Sequence, residues 1–353
     1  MRALFERFVC VRLVRMNGVD LRQFRFDFDT TLAAFALHHD GTVFARYGSR
    51  SAAGPMVYNS TEGLVATLER VLAVYPEFAH RRELFAAKRG PEPTPGAPGA
   101  TFVRPEEFPS LRVRDGGRRV GRGNCIHCHE VHEAMHAVEM AQPAANGSRR
   151  PAKIFKYPPP ETIGLEIDPR HGQRVVRVVD DSPAAAAGLR VGDELRVANG
   201  QAVLSIADLQ FVLHHLDDAA RLEVVIARDG RDESKTLGLA SGWKRSDFTW
   251  RVSMAGFPAD SGLYVHRLGA ERRRELGVAE NHVALEVRGL FRAELERSGL
   301  RTGDVIVGYD GCKAVLGALE FESWLRIWHH EPGSVLVLDV RRAGESKRIE
   351  VRF

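Results

Sequence analysis

The sequence predicts a multidomain protein of mixed α+β and α/β class. Three observations carry that reading. The stretch Gly188-Leu-Arg-Val-Gly192-Asp193-Glu-Leu195 returns as Gly299-Leu-Arg-Thr-Gly303-Asp304-Val-Ile306. The interval is about 110 residues, the length of one small domain. The run Gly90-Pro-Glu-Pro-Thr-Pro-Gly-Ala-Pro-Gly99 is too rich in Pro and Gly for a packed element and reads as a linker. On both sides of it, short apolar runs alternate with segments of helical spacing. The boundaries that follow are 1–89, 90–158, 159–241 and 242–353.

The chain has 353 residues, with 44% hydrophobic and 27% charged side chains, ordinary usage for a water-facing globular protein of two to three domains. The net charge of +4 is spread along the chain, and basic spots such as Arg272-Arg-Arg274 are flanked by acids. No nucleic-acid surface is expected. No run is long and apolar enough to predict a membrane span. The four cysteines do not form a disulfide scaffold. Cys10 and Cys312 sit alone in apolar runs and are expected as buried small hydrophobes.

Taken in order, Phe8–Val14 is a Val-rich run read as a strand. Thr31–Leu37 and Thr42–Tyr47 flank Asp40-Gly41, the strongest short signal for a hairpin. Ser60 is a candidate N-cap. Leu64, Leu68, Val71, Leu72 and Tyr75 follow at helical spacing and stop before Pro76. Glycines at 116, 117, 121 and 123 keep the backbone permissive up to Cys125. A helix is expected from about His127 to Met140, ended by the Pro- and Gly-bearing stretch 142–151. Residues 160–240 then alternate strands with a helix near Ile206–Leu216. Residues 242–353 repeat the theme, with a helix carrying Phe321, Trp324, Leu325 and Trp328.

The chemistry-bearing stretch runs from Gly121 to His136 and holds two of the four cysteines and four of the fourteen histidines. Cys125-Ile-His-Cys128-His129 is the spacing of covalent c-type haem attachment. Its two thiols reach two vinyl groups, and the adjacent imidazole of His129 turns under the iron. Haem c is therefore the expected cofactor, held by Cys125, Cys128 and His129. Other chemistries fit the same residues. Zinc would use Cys125, Cys128, His132 and His136. Cys125 and Cys128 also form a generic dithiol. His132-Glu133-x-x-His136 has the zinc-protease pattern but lacks a third ligand at the required spacing. No serine nucleophile context is found, so no independent catalysis is expected of this chain.

Several segments resemble known families. Asp181-Ser-Pro-Ala-Ala-Ala-Ala-Gly188-Leu-Arg-Val-Gly192-Asp193 resembles the bacterial PDZ domain of periplasmic high-temperature-requirement proteases. The repeat implies a second PDZ domain over 242–353. By that resemblance Ile163, Gly164 and Leu165 form a carboxylate-binding loop. Gly262 and Leu263, after Ser261, form its counterpart. The implied partners are peptide C-termini or envelope proteins. Residues 4–75 resemble the second half of a thioredoxin fold, without its redox Cys-x-x-Cys and with Thr30 where a cis-proline usually stands. The whole resembles a bacterial thioredoxin-fold/PDZ family, some members of which carry selenocysteine.

That resemblance implies a partial thioredoxin-like domain, an envelope redox or electron-transfer role, and an upstream start missing from the gene model. Thiol oxidoreductase activity is expected only if an N-terminal redox motif is restored. The competing expectation is a non-enzymatic PDZ scaffold whose Cys/His segment is a metal site or a dithiol. Haem ligation implies an extracytoplasmic location, although Met1–Val14 is not a signal peptide.

Overall fold

In the computed structural model the chain divides into two compact units, Met1–Ser246 and Asp247–Phe353. The structure describes residues 2–51, 56–90, 102–112, 125–140, 155–244, 246, 261–314, 316–329 and 333–353. The linker 91–99, the glycines at 116–123 and the helix-ending stretch 142–151 lie outside the described residues.

The first unit opens with α1 (Arg2–Phe5) and the antiparallel hairpin of β1 (Ala34–Leu37) and β2 (Val43–Tyr47), turning at Asp40-Gly41 as the sequence predicts. Ser60 caps α2 (Thr61–Val74) by accepting the Gly63 N–H at 3.0 Å. Tyr75–His80 continues as a 3-10 turn into α3 (Glu83–Ala86), and α4 spans Cys128–Met140. Next come β3 (Leu165–Ile167), β4 (Val175–Val178), α5 (Pro183–Ala186), β5 (Glu194–Ala198) and β6 (Gln201–Ala202). The unit closes with α6 (Ile206–His215), β7 (Ala220–Arg228) and β8 (Arg231–Leu239). β3 pairs with β4, and a four-stranded sheet has the order β6-β5-β7-β8.

The second unit repeats this plan with β9 (Leu263–Arg267), α7 (Ala270–Glu275), β10 (Leu285–Leu290) and α8 (Ala293–Arg297). It continues with β11 (Val305–Tyr309), α9 (Ala318–Trp328), β12 (Val335–Arg342) and β13 (Glu345–Arg352). Its antiparallel sheet runs β13-β12-β11-β10-β9, so β9 is an edge strand.

The Gly-Asp repeat has a physical reason. Asp193 is 1% exposed and takes Arg228, from the end of β7, in a fork of 2.7 and 2.8 Å. It also accepts the Arg190 N–H at 2.8 Å. Asp304, equally buried, takes Arg342 from the end of β12 at 2.6 and 2.7 Å and the Arg301 N–H at 2.9 Å. In each unit one carboxylate ties the turn before a central strand to the far end of its neighbour.

The thioredoxin expectation is corrected. β1 and β2 form a sheet of two strands, too small to stand alone. Their apolar face packs into a cluster of Phe44, Ala45, Val71, Phe78 and Phe85 with Ala202 and Leu204, around β6. The hairpin and α2 are thus built onto the following sheet, with no redox domain of their own. Phe8–Val14 forms no strand, and Val9, Val11, Leu13 and Val14 are exposed. Cys10 and Cys312 are exposed, against the expectation of burial, because neither lies in a covered strand.

Replacing Asp304 by Ala strands the Arg301 N–H and the Arg342 fork. It should lower the unfolding free energy by about 2 kcal/mol, whereas Asp304→Asn, which keeps one acceptor, loses less. Urea denaturation of the purified variants checks the order.

Candidate functional site

Two loop–strand–helix arrangements stand out. In the first unit, the 3-10 turn Pro160–Ile163 ends on Gly164, whose φ of 84° lies in the left-handed region. A Cβ there would collide with the side chain of Ser182, the N-cap of α5, so the position needs glycine. Ile163 and Leu165 are 0% and 1% exposed and anchor the loop in the core. β3 leaves this loop, and α6 packs into the same core through Leu209, Val212 and Leu213. The sequence-predicted residues Ile163, Gly164 and Leu165 are therefore brought together where a strand meets a helix.

The second unit builds the same feature at Gly262, with φ 68°, where a Cβ would collide with Arg292 beside the start of α8. Leu263 is buried and heads β9. The Ser261 hydroxyl donates to Glu322 on α9 at 2.8 Å and accepts the Leu263 N–H at 3.1 Å, which latches loop to helix. Leu263, Val265, Phe321 and Leu325 form the apolar floor between β9 and α9.

The sequence did not single out the residues lying against α6. Eight of its ten residues are buried, more than its own core requires. Asp208 accepts the Arg46 and Leu204 N–H groups, each at 3.1 Å, and pairs with Lys88 at 2.8 Å. Burial pulls the Lys88 ammonium down to about 8, against the pull of Asp208. Ser49 donates to Gln210, and the Tyr157 ring stacks on His214 at 4.2 Å. Tyr58 is buried in the core of the first unit and donates its hydroxyl to Glu161, beside the Gly164 loop. The local signal that could have drawn attention here is Ser205-x-x-Asp208, a capping pattern. Nothing local marks Arg46, Lys88 or Tyr58.

The cysteine segment is placed differently. Ile126, Val131 and Ala134 are buried with Met16, Leu21, Phe26, Phe28 and Phe108. His127 immediately precedes α4, and the Glu130 side chain reaches back to accept its N–H at 2.9 Å. Cys125 is exposed and Cys128 half-buried. Burial pushes the Cys128 thiol up, against backbone N–H donation from His129 and from Cys128 itself. His129 is exposed, with its ring parallel to that of His127 at 5.7 Å. Among the described residues no three His, Cys, Asp or Glu side chains form a group that could hold a metal ion. The side chain of His136, fourth in the zinc alternative, lies outside the described residues.

Comparison with known proteins bears on both features. Residues 174–228 match the family model described as PDZ domain, so the chain contains a PDZ domain. A probable periplasmic serine endoprotease, DegP-like, of Pseudomonas savastanoi pv. phaseolicola is 32% identical over 149 residues, 41% of this chain and 30% of that protein. The periplasmic serine endoprotease DegP of Escherichia coli K12 is 28% identical over 178 residues, 50% of this chain and 34% of that protein.

Among solved structures, the HtrA-type protease AlgW with decapeptide matches 40% of this chain and 50% of that one at 18% identity and a TM-score of 0.22. The serine endoprotease from Yersinia pestis matches 22% and 28% at 23% identity and a TM-score of 0.20. The chain spans about a third of the length of these curated relatives. Among the described residues no helix is long and apolar enough to cross a membrane.

These relatives overturn the reading as a haem-bearing electron-transfer member of a thioredoxin-fold/PDZ selenoprotein family. The curated proteins that this chain resembles are serine endoproteases, and the matched domain is a PDZ domain.

Although the residue as a whole is exposed, local desolvation beside Tyr58 raises the Glu161 carboxyl above its ordinary range, partly offset by the hydrogen bond from the Tyr58 hydroxyl. The folded chain thus holds a proton that the unfolded chain has released. This contribution is present below the ordinary glutamate range and fades as pH rises through the folded value. As pH rises above the ordinary glutamate range, Glu161→Gln should remove that downward slope from the urea midpoint. An unchanged slope would place the proton elsewhere.

Proposed function

We propose that this chain is an extracytoplasmic peptide- and protein-binding scaffold built on two PDZ domains, the second over 242–353. One observation carries the reading. In both units a left-handed glycine, pressed against the start of a short helix, opens a strand that lies beside a longer helix. Glycine there lets a terminal carboxylate approach the backbone N–H groups, while the peptide adds as a strand. Ile163, Gly164, Leu165, Gly262 and Leu263 are the residues assigned to that role. Leu263, Val265, Phe321 and Leu325 give the second groove an apolar floor, which suits an apolar last residue. The periplasmic relatives support an envelope location.

Fluorescence anisotropy with pooled decapeptides ending in apolar residues tests this. Free C-termini should bind. Their amides, and free peptides offered to Gly262→Ala, should bind at least about tenfold more weakly, a change of ~1.4 kcal/mol. Equal binding of acid and amide would end the carboxylate reading.

For the cysteine segment we read Cys125 and Cys128 as a dithiol. An exposed thiol precedes a half-buried one whose sulfur faces the first-turn N–H groups of α4. Exposure to a disulfide oxidant should join the two sulfurs, pass two electrons and two protons to the oxidant, and leave Cys10 and Cys312 reactive. Thiol labelling followed by peptide mass analysis reads the outcome. Retention of four reactive thiols would exclude it.

A further inference from the structure

Two stretches of the N-terminal part of the chain touch the elements that would frame the groove of the first PDZ domain. A bound peptide would run between the outer edge of β3 and α6, with its end at the Gly164 loop. Residues 46–51 follow α6. The Arg46 N–H donates to Asp208 at 3.1 Å, Ser205 donates to the Arg46 carbonyl, and Ser49 donates to Gln210 further along the helix. Residues 58–63 touch the chain on either side of β3, at Glu161 and Pro169. Tyr58 packs with Ile163 and Leu165 and bonds Glu161. Ser60 then donates to the Pro169 carbonyl at 3.3 Å.

The two limbs are tied to each other. The Ser49 N–H donates to Asn59 at 2.9 Å, and Tyr47 donates to the Ser60 carbonyl. Gly63 explains itself here. Glycine weakens a helix, yet a Cβ at this position in α2 would collide with the Pro169 carbonyl oxygen.

We infer that residues 46–51 and 58–63 occupy the peptide groove of the first PDZ domain in cis, with Tyr58 standing in for a ligand side chain. Peptide capture by the intact chain is thereby left to the second groove. This rests on the peptide-binding reading above and adds its stoichiometry and its internal competitor. Asp208 is the lock, because it holds Arg46 and Lys88 on the helix that a peptide would need. A free peptide gains the first groove only by displacing a segment whose effective concentration is set by the chain itself.

Hydrogen exchange and calorimetry on the full chain test this together. In the unmodified protein, amides at 46–51, 58–63, 163–167 and 206–215 should exchange as one slow set, and the pooled decapeptides should bind at one site per chain. Gly63→Ala, which favours α2 but collides with Pro169, and Ser49→Ala, which is milder, should each speed exchange in that set by about tenfold. Exchange at 263–267 should stay unchanged. The double variant should bind two peptides. Peptide protection of 163–167 in the unmodified chain with 58–63 unaltered would overturn the inference. So would variants that leave exchange at 163–167 and 206–215 unchanged, even if no peptide binds to either domain. If no peptide binds to either domain but the variants do speed exchange in that set, the internal occupant stands while the peptide-binding reading fails.

Discussion

The first unit depends on one buried carboxylate. Asp208 is 2% exposed, sits in the first turn of α6 and is met by Lys88, Arg46 and two backbone N–H groups. Burying these charges is costly, and the pairing is stable only because nearly every polar atom around it finds a partner. Lys88 also donates to the Phe44 carbonyl, and the Arg46 guanidinium lies 3.7 Å over the Phe211 ring. Segments distant in sequence are thereby fixed to a single helix, and the hairpin gains the support that a two-stranded sheet cannot supply itself.

The Gly-Asp turns show the same economy in smaller form. A carboxylate and an arginine fork close each β-rich unit across its sheet. The glycine before each Asp adopts positive φ, which turns the chain so that the carboxylate points inward. The recurrence of Gly192-Asp193 and Gly303-Asp304 is therefore a recurrence of a clamp, and it made the repeat visible.

What was legible in the sequence follows from this. The hairpin at Asp40-Gly41, the cap at Ser60 and the helix over Cys128–Met140 are local signals, written within a few residues, whereas Gly164 and Gly262 are singled out by resemblance. The misreadings share a cause. Phe8–Val14 and the hairpin have strand-like composition, and a half-fold was completed by analogy. Their real neighbours are decided by Asp208 and the β6 edge, more than a hundred residues away. Cys125-Ile-His-Cys128-His129 is a spacing without an environment. Its surroundings, an exposed His129 and a core of Ile126 and Val131 turned toward Phe26 and Phe108, are set by tertiary packing that no pentad encodes.

The extended stretch Phe8–Val14 presents Val9, Val11, Leu13 and Val14 to water at 95%, 79%, 56% and 71% exposure. A row of β-branched and leucine side chains that joins no strand among the described residues is a template for strand pairing between molecules. Arg12 is the gatekeeper within it, keeping a charge at the centre of the run. This short run thus carries a liability for self-association that the charge of Arg12 opposes. The exposed Cys10 in its midst places an oxidisable thiol on the same surface.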